Sequence, residues 1–224
     1  MEQTKRRSAA VRDGLAVGLA VGLSGLAFGA AAITAGLSVP QACVLSLLAF
    51  TGASQFALAG AYGAGGDLVA AAAGALLLGG RNTLYGLRLA DLLKIRGPRR
   101  LLAAHGVIDE TTAVALAQPD EQAARAGFVA TFASLYVTWN LTTLAGAYGT
   151  SFLGDPGVLG LDAVGPATFL AILWPRLTAP GDQGGQARLL AVAGAAVALC
   201  ATPFFPPGVP VLLSAVAVLV VMVR

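Results

Sequence analysis

Arg81 and Asn82 stand in the middle of a run that is otherwise apolar from Leu68 to Leu84, and no other residues of the chain speak as directly of chemistry. The segment reads Leu68 to Gly80, then Arg-Asn, then Thr-Leu-Tyr-Gly-Leu-Arg-Leu-Ala-Asp-Leu-Leu up to Leu93. Its length suits a bilayer, which an apolar helix of about 20 residues crosses. An arginine near the centre of such a segment costs about 2.5–3.5 kcal/mol on insertion scales. A charge kept at that cost faces a protein interior or a wet cavity, where it pairs with another group or with a ligand. Gly79 and Gly80 weaken the helix immediately before it, so backbone groups can be freed at the same depth. Arg81 is therefore the leading candidate for binding a carboxylate, or for pairing with Asp109, Glu110 or Asp162. Tyr85 and Arg88, four and seven residues on, share its helical face.

Other polar side chains lie in apolar surroundings. Thr51, Ser54 and Gln55 flank Gly52 within the run 38–62, and two roles are open for them: hydrogen bonds between packed helices, or ligand contact beside exposed backbone. Trp139, Asn140, Thr142 and Thr143 cluster inside the span 127–150; Trp139 is too far from either end for an interface anchor, which points to a cavity wall. Asp109 and Glu110 are consecutive, so on a helix they diverge by about 100° and only one can face a site squarely. Asp109 is the better placed as a proton carrier or as the partner of Arg81, with solvation at the interface the alternative for both. His105, four residues before Asp109, could pair with it at the membrane edge. Asp162 precedes an apolar run and suits a helix N-cap.

Composition sets the environment. Hydrophobic residues make up 57% of the 224 and charged ones 11%, against about a quarter charged in soluble domains; so few charges cannot cover a soluble surface. The net charge of +3 does not indicate nucleic acid, because the basic residues cluster at segment ends. Cys43 and Cys200 lie in apolar runs as small packing residues. No metal-ligand spacing and no cofactor motif is present, so no metal, no cofactor and no enzymatic activity is expected. Lys5, Arg6 and Arg7 precede an apolar stretch from Gly14 to Leu37, longer than the roughly 7–15 residues of a signal peptide; a first, uncleaved transmembrane helix is expected. Gly14, Gly18, Gly22, Gly25 and Gly29 share one face of that helix and would let another backbone approach closely.

The expected architecture is a single all-α, polytopic membrane domain over 1–224, with about six to eight membrane segments. Clusters of Lys and Arg place the N-terminus (1–13), a basic loop at 91–104, a loop at 176–188 and Arg224 in the cytoplasm. Three apolar segments separate the first two, and three full spans would put loop 91–104 on the opposite side. One of them must enter and return, or be broken, either at Thr51–Gln55 or at Gly79–Asn82; the short 105–118 segment suits an interfacial or re-entrant element.

Several stretches carry a family resemblance. Phe50-Thr-Gly-Ala-Ser-Gln-Phe-Ala57, Arg81-Asn-Thr-Leu-Tyr-Gly-Leu87, Asp109-Glu-Thr-Thr-Ala113, Trp139-Asn-Leu-Thr-Thr-Leu-Ala-Gly146 and Gly160-Leu-Asp-Ala-Val-Gly-Pro-Ala-Thr-Phe169 resemble, in the same order, the large subunit of AzlC-type branched-chain amino acid transporters. Gly25 to Gly29 fits that family's first helix. The resemblance implies a permease of a bacterial cytoplasmic membrane, exporting valine, leucine, isoleucine and often methionine with the proton motive force. It also implies a small AzlD-type membrane partner. One departure is Gly79, where many members carry asparagine two residues before the arginine. A zwitterionic substrate needs a cation for its carboxylate, which Arg81 supplies, and acceptors for its ammonium, which Gln55, Asn140 or freed carbonyls supply. Asn82, Ser54 and Trp139 complete the expected substrate site, with Asp109 and Glu110 carrying protons. The rival classes are a channel or a non-transporting assembly subunit, and, remotely, an intramembrane hydrolase using Ser54 and His105.

Overall fold

The computed structural model describes residues 2–153, 164–205, 209–214 and 216–218. Twelve α-helices and no strand occur among them. The chain is an all-α membrane protein. Two helical stretches are long and apolar enough to cross a membrane by themselves, Glu2–Thr34 and Gly184–Ala201. The first is made of α1 (Glu2–Gly22) and α2 (Gly25–Thr34), joined at a step where the Ser24 hydroxyl donates to the Val21 carbonyl at 2.6 Å.

The longest helix, α9 (Glu121–Ser151), is the axis of the molecule. Asp120 caps its N-terminus, accepting from the backbone of Gln122 and Ala123 at 3.1 and 2.9 Å. α1 and α2 run parallel to α9 along the glycine seam. A Cβ placed on Gly14 would lie 2.8 Å from the Gly127 carbonyl, on Gly18 1.9 Å from the Ser134 hydroxyl, and on Gly29 2.2 Å from the Thr143 carbonyl. Gly146 of α9 returns the arrangement, meeting the Leu26 carbonyl at 2.1 Å. Hydroxyls bridge the seam, Thr142 to the Gly22 carbonyl at 2.6 Å and Ser134 to the Gly14 carbonyl at 3.4 Å. The glycine face is thus a packing seam. It also explains why α9 is rich in Thr and Ser: a helix wrapped by its neighbours need not be apolar itself, and the Thr131, Ser134 and Thr142 hydroxyls each bond a carbonyl of the preceding turn.

Two helical hairpins enter from opposite ends of α9. The first is α3 (Val39–Leu48) and α4 (Ala53–Gly63). Its outer ends lie together at the C-terminus of α2, where a Cβ on Gly63 would meet Ala35 at 2.9 Å. Its tip reaches half-way down α9, where the Leu47 carbonyl accepts from the Tyr136 hydroxyl at 3.2 Å. The second is α7 (Arg99–His105) and α8 (Asp109–Leu116), whose tip packs Gly106 on the Phe132 ring while Val114 returns to Gly127 near the start of α9. Between them α5 (Leu68–Gly79) and α6 (Arg81–Leu93) cross from one end to the other, bent at Gly80 but continuing, and Lys94 closes the crossing with an ion pair to Glu121.

Segment 38–62 folds back on itself, whereas 68–93 bends and runs on from one end of α9 to the other. The basic segment 91–104, expected as a loop, contains α7, because Pro98 starts a helix there. The expected loop 176–188 is shorter than read: α10 (Val164–Leu177) and α11 (Asp182–Ala201) leave only four residues between them, and α12 (Val209–Ser214) follows. The N-terminal residues are helical from Glu2. Asp162 and Arg224 lie outside the described residues. Leu76, Leu77, Leu84 and Leu87 are all largely exposed; in water such a stripe would drive association, whereas against hydrocarbon it costs nothing.

Candidate functional site

The helix breaks fall at one level. The steps at Leu23–Ser24, Ala49–Gly52, Gly79–Gly80 and Gly106–Ile108 all lie on segments that meet the middle of α9, between Phe132 and Trp139, directly or through one another. Gly52 adopts a φ of +59°, which a side chain would strain, and a Cβ there would sit 3.7 Å from the Trp139 ring. A Cβ on Gly79 would meet the Ser54 hydroxyl at 3.3 Å, joining the first hairpin to the break before Arg81. From there Arg81 reaches Asp109 at the start of α8, with Nη2 2.5 Å from Oδ2 and both side chains about one-third exposed.

Each hairpin tip is held by a buried polar side chain at the third position of its returning helix. Gln55, fully buried, accepts from the Gly52 amide at 3.2 Å and donates to the Leu45 carbonyl at 3.1 Å. Thr111, also fully buried, accepts from the Ile108 amide at 3.1 Å and donates to the Gly106 carbonyl at 2.6 Å. The tips touch through His105, whose Nε2 lies 3.0 Å from the Leu47 carbonyl; a carbonyl only accepts, so this nitrogen carries the proton. His105 therefore spends its contact on the opposite hairpin rather than on Asp109. Its ring lies in an aromatic cluster with Phe50, Phe132 and Tyr136. A second cluster, Phe28, Phe56 and Trp139, packs above it.

Six buried side-chain polar atoms among the described residues have no hydrogen-bond partner: Thr51 Oγ1, Arg81 Nε, Asn82 Oδ1, Thr112 Oγ1, Trp139 Nε1 and Asn140 Oδ1. Buried polar groups are normally paired, and these six sit on the segments just described. Thr112 is one turn beyond Asp109, and Tyr85, one turn beyond Arg81, has its hydroxyl near the Asp109 carboxylate. Asn140 donates to the Tyr136 carbonyl at 2.8 Å, which leaves its oxygen over. Beside Asn82 an open cleft of about 800 Å³ runs between α6 and α7 toward Lys94, Arg96 and Arg100, walled by Leu89, Ala103 and Val107.

Of the residues singled out from the sequence, Arg81 and Asp109 are brought together, with Asn82 and Ser54 adjacent. Trp139 and Asn140 lie on the central helix next to the first hairpin, and Gln55 serves as its brace with no polar atom left over for a ligand. Glu110 follows Asp109 on α8, and its neighbours include Asp109 and Arg81. The sequence reading passed over Thr111 and Thr112; a threonine at the third position after a non-helical residue was the available signal for the first, and none distinguished the second.

The fold and this arrangement define an all-α membrane protein with discontinuous helices around a polar centre. The chain belongs to the AzlC protein family, whose model matches residues 16–153. It is a membrane protein related to branched-chain amino acid transport. No curated protein and no solved structure gives a significant match to the chain. The matched region runs from the last two turns of α1 to the end of α9, and with them it contains both hairpins and every residue of the candidate site.

Proposed function

We propose that this chain is the large subunit of a two-component secondary transporter that exports valine, leucine and isoleucine, with methionine as a further substrate, across a bacterial cytoplasmic membrane. Export is coupled to the proton motive force, and a small AzlD-type subunit completes the complex. The observation that carries the reading is the Arg81–Asp109 pair at the junction of broken helices, on segments that also carry unpaired buried polar atoms. Arg81 offers its remaining donors to the substrate carboxylate. Asn140 and Asn82 offer oxygens to the ammonium, and the apolar walls of the adjoining cleft suit a branched aliphatic side chain. Such walls separate substrates differing by one methylene only about 10- to 200-fold, so several related amino acids are expected to be carried.

Orientation follows from charge. Lys5, Arg6, Arg7, Lys94, Arg96, Arg99 and Arg100 gather at the end of the molecule where α9 begins, and Arg6 approaches Asp120 at 3.9 Å there. That end is cytoplasmic by the positive-inside rule, and the cleft beside Asn82 opens toward it.

The test is flux of labelled valine driven by a proton gradient in proteoliposomes, with the chain alone and with its small partner. Gradient-dependent flux that needs the partner and is lost in folded Arg81→Ala is the expected result. Uncoupled conductance would favour a channel. A complex that assembles normally and carries no branched-chain residue or methionine would overturn the reading.

A further inference from the structure

Resting on the reading just given, we infer that the Arg81–Asp109 ion pair is a clasp that opens to take the amino acid between its two charges, so that substrate and proton exclude one another at Asp109. The substrate carboxylate sits on Arg81 and its ammonium on Asp109. One contact between protein charges is thereby replaced by two between protein and ligand.

The chemistry of the surroundings argues for a zwitterion rather than an anion or a cation. The unpaired atoms on the segments that meet at this level comprise donors, Arg81 Nε and Trp139 Nε1, acceptors, the side-chain oxygens of Asn82 and Asn140, and hydroxyls of Thr51 and Thr112 that can act either way. Arg81 contacts Asp109 through Nη2 while Nε stays free, which leaves an edge of the guanidinium for a second carboxylate. Backbone polarity is mixed in the same way: the N-termini of α4 and α8 and the C-termini of α3 and α7 end at this level, beside the bend at Gly80. Helix N-termini favour a carboxylate, and helix C-termini favour an ammonium.

Charge balance decides Asp109's role. A ligand that took Arg81 alone would leave a partly buried carboxylate without its cation, which is the costly way to break such a pair. The ammonium of an α-amino acid, one carbon from its carboxylate, restores that cation. A proton on Asp109 could restore neutrality instead, and the two solutions have opposite consequences. Where the ammonium does so, acid competes with substrate, as exchange of substrate for a proton requires. Where the proton does so, acid promotes binding and the two travel together.

Among the described residues the charged and titratable groups near Asp109 are few: Arg81 and Tyr85 on α6 and Glu110 beside it on α8. α9 carries no charged residue between Arg125 and Ser151, and α1 none after Asp13. His105 is engaged with Leu47.

Valine binding to the purified two-subunit complex, measured across pH together with proton release in weak buffer, tests the inference. Affinity is expected to fall by up to about tenfold for each unit of acidification in the acid range where the proton competes, with one proton released per valine bound in that range. Isovalerate, which lacks the ammonium, should not displace valine. Asp109→Asn should abolish proton release, and Glu110→Gln should preserve it. Tighter binding in acid with proton uptake, or displacement by isovalerate, would overturn the clasp, and so would release that survives Asp109→Asn and vanishes in Glu110→Gln. Should Asp109→Asn not fold, the sign of the wild-type proton count still decides. Valine counterflow in vesicles separates the two levels: counterflow without proton release overturns the clasp alone, whereas no binding and no counterflow of any amino acid overturns the transporter reading with it.

Discussion

Gln55 and Asn140 are both amides in apolar surroundings, and from their residue types either could hold a ligand. Their hydrogen bonds separate them. The Gln55 oxygen is the partner of the Gly52 amide at the hairpin tip, and its side chain is fully buried. Gln55→Leu leaves that amide unpaired, and an unsatisfied buried group costs about 1–3 kcal/mol; a lower melting temperature of the purified protein is expected. Asn140 bonds only the Tyr136 carbonyl of its own helix and keeps a free oxygen. Asn140→Leu should leave melting nearly unchanged and weaken valine binding instead. Equal effects of both substitutions on stability, with valine affinity intact, would contradict this division of roles. Which polar residues lie in the membrane was legible from the sequence; which of them are spent on holding the fold was not, since that depends on contacts such as Gln55 to Leu45 that only the folded hairpin creates.

At the scale of elements, the five glycines of α1 and α2 were legible as a close-packing face because their spacing repeats with the helix. Their partner was not, since α9 lies about a hundred residues further on and has its own small-residue stripe. The seam makes a graded prediction. At Gly29 a Cβ would lie 2.2 Å from the Thr143 carbonyl and 2.6 Å from the Ala147 amide, both backbone atoms that cannot swing away. Gly29→Ala should therefore lower stability by about 1–3 kcal/mol, the range for overpacked cores. Gly60, inside α4, has nothing within 4 Å of a Cβ. Gly60→Ala should raise stability by about 0.5–1 kcal/mol through helix propensity. Thermal unfolding in detergent checks both, and a Gly29→Ala protein as stable as wild type would refute the seam as a tight contact. The Lys94–Glu121 pair ties the end of α6 to the start of α9. Lys94 holds the exposed Glu121 carboxyl below its ordinary value. A carboxyl lowered in the folded state contributes above its unfolded pKa and loses that contribution as pH falls through the folded one. α9 is about 46 Å long at about 1.5 Å per residue, and the hydrocarbon core is about 30 Å thick, so this pair stands in water and is screened by salt. The stability difference between wild type and Glu121→Gln should shrink below the usual carboxylate range and at high ionic strength; a difference unchanged by acid and salt would remove the pair from the stabilising contacts.

For the whole molecule, two hairpins from opposite ends leave Gly66, between α4 and α5, at one end and Ser8 and Arg96 at the other. Single cysteines placed in a background lacking Cys43 and Cys200 test this. A membrane-impermeant thiol reagent applied to intact cells should label Gly66→Cys. It should label Ser8→Cys and Arg96→Cys only after permeabilisation. Labelling of Arg96→Cys from outside would mean that segment 38–62 crosses the membrane instead of returning.

The sequence by itself determined the membrane class, the packing face of the first helix, the isolated charge at Arg81 and the need for one segment to turn back. Each follows from composition, helical period or charge bias, which are local quantities. Which segment turns back, which acid pairs with Arg81 and which polar atoms stay unpaired were decided only by the tertiary structure. Asp109, Glu110 and Asp162 were all open as partners for Arg81 on paper, with Asp109 favoured only because two consecutive acids cannot both face one site. The pairing is settled by the depth at which α8 begins, because the second hairpin brings Asp109 level with the bend at Gly80. That depth depends on the packing of Gly106 on Phe132 and of Val114 on Gly127, contacts between residues that no local pattern connects.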